Sequence, residues 1–221
     1  LSRTPDSRIR IGDFFMDATV AMQRAIDISQ FGLGKTKGNP IVGAVIVGTD
    51  GSVIAEGFHD RVSNPDHAEV VAIKKAGAAS RGATIVVSLE PCNHTGRTPP
   101  CVDALITAKP AKVVVAMMDP NPLVSGNGLK RLKAAGIDIR CGLLEAEANI
   151  LNRGFISRMT RGLPWVRMKI AASLDGKTAL PDGRSQWITG ALARADGHHW
   201  RAQACAIVTG VGTVKEDDPS L

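Results

Sequence analysis

The chain contains no tyrosine, and its aromatic side chains are limited to five phenylalanines and three tryptophans among 221 residues. Few platforms are left for stacking unpaired bases, which argues against a nucleic acid as partner. Four cysteines are too few for the disulfide scaffold of a small secreted protein. No apolar run approaches the roughly 20 residues that cross a bilayer, so no membrane span is expected. The segment 1–12 carries charge without an apolar stretch and does not read as a secretory signal. A cytoplasmic location is the resulting expectation. There is no internal repeat and no low-complexity tract.

Hydrophobic residues make up 44% and charged residues 22%, as in packed globular domains. The net charge of +6 suits a phosphorylated small molecule as well as it suits nucleic acid. The length fits one large domain, or one full domain with part of another.

Residues 13–31 place Phe15, Ala18, Met22, Ala25, Ile26 and Ser29 on one helical stripe, bounded by Gly32 and Gly34. The β-branched run 41–47 reads as a buried strand, and Asp50-Gly51 turns it back into a partner at 52–57. Helices follow at 66–76, 98–108 and 128–135, strands at 84–89, 112–117 and 136–140, and one long helix at 143–161. Strands that alternate with helices from residue 67 onward predict an α/β domain over 13–161. Its sheet is expected to be mixed and mostly parallel, with helices on both faces. Gly162-Leu163-Pro164 interrupts that pattern. A second α/β pattern then starts, with strands at 165–172 and 205–208 and a helix at 190–202. Segment 165–221 is thin for an independent domain.

The chemistry concentrates in His67-Ala68-Glu69, Pro91-Cys92 and Cys101. One imidazole and two thiolates make three ligands for Zn2+, with the fourth tetrahedral position left for water. Zinc deaminases carry H-x-E…P-C-x-x-C, with the Glu outside the metal shell as proton-transferring group. Here the cysteines stand nine apart instead of three. A position at a helix start would let His67 and Glu69 flank one ligand, and the positive helix end favours thiolate. Asp66-x-x-Glu69 also fits a capping box, which would leave Glu69 satisfying backbone donors. Cys141 and Cys205 read as core residues.

Around these residues the sequence resembles the riboflavin-biosynthesis deaminase–reductases. The resemblance rests on Asn39-Pro40-x-Val42-Gly43, His67-Ala68-Glu69, and the stretch from Leu89-Glu90-Pro91-Cys92 through His94, Gly96, Arg97 and Thr98 to Cys101. Met118-Asp119-Pro120-Asn121-Pro122, Lys169-x-Ala171-x-Ser173-Leu174-Asp175-Gly176-Lys177 and Ser185-x-Trp187-Ile188-Thr189 continue it. It implies a three-layer cytidine-deaminase-like domain, followed by the N-terminal part of a dihydrofolate-reductase-like domain. The implied substrate is a phosphorylated diaminopyrimidinone, deaminated with Zn2+ and then reduced at its ribose with NADPH. Asn39, His59, His94, Arg97, Asp119 and Asn121 would hold the deaminase substrate. Ala171, Trp187, Thr213 and Asp217 would face NADPH, and Lys169, Ser185, Arg201 and Leu221 the reductase substrate. Lysine on an apolar strand is costly to bury without an anion, which favours a phosphate beside Lys169.

The chain departs from the family pattern in two places. The loop 60–66 lacks the glycine usual before His-Ala-Glu, and the Gly-rich dinucleotide stretch of the reductase is absent, so that domain is expected to be incomplete. Two other functions stay open. A tRNA-type deaminase shares the metal logic. A structural zinc module would need a fourth protein ligand, with His94 or Cys141 as candidates. A homo-oligomer is compatible with all three readings.

Overall fold

The computed structural model describes residues 17–96, 98–122 and 124–220. The chain divides into two units between Trp165 and Val166.

The first unit is built on a five-stranded sheet: β1 (Gly43–Val47), β2 (Val53–Phe58), β3 (Thr84–Val87), β4 (Lys112–Val115) and β5 (Asp138–Cys141), in the order β2-β1-β3-β4-β5. β1 pairs antiparallel with both β2 and β3, whereas β3–β4 and β4–β5 are parallel. The sheet is therefore mixed, and its parallel part is the stretch where helices alternate with strands. β1 lies between two neighbours and under two helices, so all five of its residues are buried. Such a position requires a run that is apolar on both faces.

Helix α1 (Ala18–Ser29) is capped by Asp17, whose carboxylate accepts the Thr19 N–H. It buries Ala18, Met22, Ala25, Ile26 and Ser29; positions 13–16, Phe15 included, lie outside the described residues. Each fully buried Met or Ile on this face contributes about 1.5–3 kcal/mol. The further helices of this unit are α2 (Ala68–Ala76), α3 (Cys101–Ala108), α4 (Asn127–Ala134), α5 (Glu145–Leu151) and α6 (Arg153–Arg161).

Two glycines show on which face of the sheet each helix lies. A Cβ on Gly43 would sit 2.0 Å from the Ala25 carbonyl oxygen of α1, and one on Gly57 would sit 2.3 Å from the Ala68 oxygen of α2. Gly57 is the cross-strand partner of Ala44, the residue after Gly43. Consecutive strand residues point to opposite faces, so α1 and α2 cover opposite sides. α2, α3 and α4 pack in sequence on one side, while α1 touches α5. That makes three layers, and Gly57 lets the start of α2 rest directly on the β2 backbone.

The expected helix 143–161 is two helices. Asn152 leaves helical geometry at φ −106°, ψ 19°. Its buried amide accepts the Ile41 N–H at 2.8 Å and donates to the Ile41 carbonyl at 2.9 Å. It pairs with the strand entry as a neighbouring strand would, and the helix breaks to allow it. Helix α3 begins at Cys101 rather than at 98. Cys141 is exposed because β5 is the outer strand of the sheet; it is not core.

The second unit holds α7 (Ala191–Ala202) and α8 (Val211–Asp217), the latter unforeseen from sequence, and no strand among its described residues. The expected strands at 165–172 and 205–208 do not form. Val166, Met168 and Ile170 stay largely exposed, and no paired chain takes their backbone hydrogen bonds among the described residues. Cys205 is exposed as well, correcting its reading as core. No helix of the described residues is long and apolar enough to cross a membrane.

Candidate metal centre and active site

His67 is the N-cap of α2, in extended geometry at φ −77°, ψ 164°, and Glu69 is the second residue inside the helix. This half-in position solves the problem of two side chains only two residues apart, because one projects before the helix begins. The capping-box alternative is not what forms. Asp66 pairs with Lys74, His67 makes no side-chain cap bond, and Glu69 is buried.

Cys92 follows β3 after the turn 88–91, and Cys101 opens α3. The Cys101 N–H, at the positive end of that helix, donates to Cys92 Sγ at 3.3 Å. His67 Nδ1 lies 3.1 Å from Cys101 Sγ and 3.5 Å from Cys92 Sγ. All three donor atoms fall within 4.8 Å of one another, the single such group among the described residues. With Zn–N near 2.0 Å and Zn–S near 2.3 Å, tetrahedral ligands stand about 3.5 Å (N to S) and about 3.8 Å (S to S) apart. The donor types and their spacing fit zinc.

The electrostatics separate the roles. Hydrogen bonds from the Cys101 thiol, His67 and the Cys101 N–H pull the Cys92 thiol down to about 4, against its burial. The Cys101 thiol is raised, first because it gives its hydrogen to Cys92 and then by burial. His67 is raised by its bond to Cys92. Burial pushes the Glu69 carboxyl up to about 7, with the His67 charge opposing. A carboxyl near 7 is as ready to accept a proton as to return it.

The other residues expected at the site differ in how near they come. His59 is buried, with its ring centroid 4.9 Å from that of His67 and its Nδ1 3.4 Å from the Pro40 carbonyl. Burial holds its pKa below the usual histidine value. Asn39 is half-buried and donates to the Thr36 carbonyl within its own turn, at 2.8 Å. Asp119 is buried, and its carboxylate accepts the Asn121 N–H at 2.8 Å. Burial raises the Asp119 carboxyl to about 6; the Asn121 N–H opposes this and the Glu90 charge adds to it. His94 is exposed on the inter-cysteine loop. Arg97 and Leu221 lie outside the described residues.

In the second unit Lys169 is exposed, so the burial argument for a phosphate beside it falls. Lys169 Cε and Arg201 Nη1 both approach Gly197 of α7. Trp187 is 69% exposed and stacks against the Arg194 guanidinium at 4.4 Å. Ala171, Ser185 and Arg201 are half-buried, and Thr213 and Asp217 lie exposed on α8.

Three residues that sequence reasoning left without a role shape the site. Arg131 of α4 donates to Asn93 at 2.6 Å and to Asp103 at 2.7 Å, tying together the two ends of the inter-cysteine segment. Glu90 accepts backbone N–H groups across the sheet end, and Asn152 fixes the strand entry beside Asn39. An acidic residue between the largely apolar run 85–89 and Pro91-Cys92 was the available signal for Glu90. Nothing local marks Asn152, whose partner is 111 residues away.

The family model for the cytidine and deoxycytidylate deaminase zinc-binding region matches residues 16–117, and that for the RibD C-terminal domain matches residues 164–221. The riboflavin biosynthesis protein RibD of Escherichia coli (strain K12) is 53% identical over 200 residues, covering 90% of this chain and 54% of that protein. The structure of Acinetobacter baumannii RibD, form 1, superposes with a TM-score of 0.86 at 51% identity, over 91% of this chain and 56% of that one. A Thermotoga maritima structure is described as a diaminohydroxyphosphoribosylaminopyrimidine deaminase/5-amino-6-(5-phosphoribosylamino)uracil reductase. It superposes at 0.85 and 44% identity, over 91% and 58%. The chain thus spans about half the length of the relatives it matches.

Proposed function

Since the chain belongs with the RibD proteins over the half of their length that it spans, we propose that it hydrolyses the amino group from 2,5-diamino-6-(5-phosphoribosylamino)pyrimidin-4-one in riboflavin biosynthesis. The observation that carries this reading is the convergence of His67, Cys92 and Cys101 next to the buried carboxyl of Glu69.

His67, Cys92 and Cys101 would hold Zn2+. When bound, zinc supplies a Lewis acid that makes water nucleophilic at neutral pH. Glu69 takes the proton that water gives up and delivers it to a ring nitrogen, which makes the amine-bearing carbon electrophilic. It then takes the proton of the new C–OH group as that becomes C=O and passes it to the departing ammonia. Water enters, a C–N bond is replaced by C–O, and no electrons are exchanged. The buried setting of Glu69 suits this shuttle, because burial raises its affinity for a proton above that of an ordinary carboxylate. Asn39, His59, His94, Arg97, Asp119 and Asn121 surround the substrate.

We assign 13–161 to the deaminase and 165–221 to part of an NADPH-dependent reductase. In the latter, Ala171, Trp187, Thr213 and Asp217 turn toward the cofactor, and Lys169, Ser185, Arg201 and Leu221 toward the sugar phosphate. The match to the RibD C-terminal domain supports that assignment. The enzyme works in the cytoplasm on a small molecule, not on nucleic acid.

The test is ammonia release by the zinc-loaded chain from the diaminopyrimidine phosphate, with cytidine as comparison. Release from the phosphorylated pyrimidine alone is the expected result; release from neither would reject the reading. NADPH oxidation in the same tube tests the second assignment.

A further inference from the structure

Glu90 is buried at 3% exposure, one residue before Pro91 and two before Cys92. Its own N–H donates to the Met117 carbonyl at 3.0 Å, which fixes its backbone at the end of β4. Its carboxylate accepts four backbone N–H groups. Oε2 takes those of Asp119 at 3.2 Å and Gly126 at 2.9 Å; Oε1 takes those of Gly128 at 3.1 Å and Leu129 at 3.4 Å. An ionised carboxylate has about four acceptor sites, so the segment 119–129 uses its whole capacity.

Two of the donors are the otherwise unpaired N–H groups at the start of α4, which any nearby acceptor would satisfy. The other two bracket the loop that carries Asp119 and Asn121. Gly128 permits the arrangement: a Cβ there would stand 2.5 Å from the Pro91 carbonyl oxygen. One side chain therefore joins the segment that delivers Cys92 to the loop that delivers Asp119. A buried charge is a poor device for stability alone, since well-packed apolar groups of equal volume often serve as well or better. An acceptor for four N–H groups is a good device for fixing a loop.

We infer that Glu90 is a positioning residue, which sets the distance from the metal ligands to Asp119 and Asn121 and thereby the affinity for the pyrimidine. The inference rests on the proposed deaminase reading, in which those two residues face the substrate. Glu90 touches no reacting atom.

The test is Glu90→Gln in the full zinc-loaded chain. Glutamine keeps the shape but turns one acceptor oxygen into an NH2 group that faces two N–H donors. We expect zinc content to be unchanged, KM to rise about 10-fold and kcat to stay within about 3-fold, the pattern of lost substrate binding rather than lost chemistry. Amide exchange at Asp119, Gly126, Gly128 and Leu129 should accelerate by about 10-fold or more, with β1 and β3 unaffected. An unchanged KM in a folded variant overturns the inference, and so does unchanged exchange at those amides. Should Glu90→Gln not fold, Glu90→Asp, which retracts the charge by one methylene, carries the same two readouts. If the wild-type chain releases no ammonia, the deaminase reading fails by itself, and the exchange comparison still decides whether Glu90 holds the loop.

Discussion

Ile46 and Ile170 are the same side chain, each in a stretch that reads as a strand, yet Ile46 is wholly buried and Ile170 is 61% exposed. Ile46 belongs to β1, with a strand on either side and a helix on each face. Ile170 alternates with Arg167 and Lys169 in a strand-like pattern that has no paired strand among the described residues. A period of two tells which side chains would share a face; it does not supply what covers that face. The buried polar side chains divide the same way. His59, Glu69, Glu90, Asp119 and Asn152 all lie in the first unit, so the groups able to support acid–base chemistry sit where a core holds them.

The strongest test of that division is Glu69→Gln. Glutamine fills the same buried space and leaves the three ligands in place, so zinc content should match wild type. Turnover should fall by about 10²- to 10⁴-fold, the usual worth of a positioned acid–base group. Near-normal turnover would move the chemistry away from this carboxyl. Next comes the isoleucine pair itself. Ile46→Ala should cost about 2–5 kcal/mol of stability in urea unfolding, and Ile170→Ala no more than about 0.5 kcal/mol. Similar losses at both positions would erase the contrast. Gly57→Ala should cost about 1–3 kcal/mol, the range for an overpacked site. The added methyl meets the Ala68 carbonyl and the Ala72 nitrogen, so zinc affinity should drop along with the melting temperature as the start of α2 is displaced.

How much of this was legible beforehand differs from residue to residue. The strands of the first unit and the convergence of His67, Cys92 and Cys101 could be read because each residue type stands at a strand end or helix start. The long inter-cysteine spacer did not hide that. The break at Asn152 was not legible, since helical periodicity continues through it and the cause is a contact with Ile41 across the fold. The strands foreseen at 165–172 and 205–208 failed for the opposite reason: the local pattern was present, but a strand also needs a neighbour to pair with. The Lys169 argument failed with them, because it assumed a burial that only such pairing could create.

The smallest effect distinguishes function from stability within the first unit. Burial raises the Asp119 carboxyl from an ordinary 3.8 to about 6. Between those values the folded chain keeps a proton that the unfolded chain releases, so this group makes stability fall as pH rises from about 4 to about 6. Above that window the ionised, buried carboxylate is a standing cost, about 3 kcal/mol at most for a displacement of that size. Asp119→Asn removes the charge and keeps an oxygen for the Asn121 N–H. At equal zinc loading, the variant should gain about 1–2 kcal/mol over wild type at pH 7.5, and no more than a few tenths at pH 4. Substrate affinity should move the other way, because a residue retained at such a cost is expected to serve binding. A variant that is less stable at both pH values would mean that the carboxylate is held by its partners rather than tolerated for the substrate.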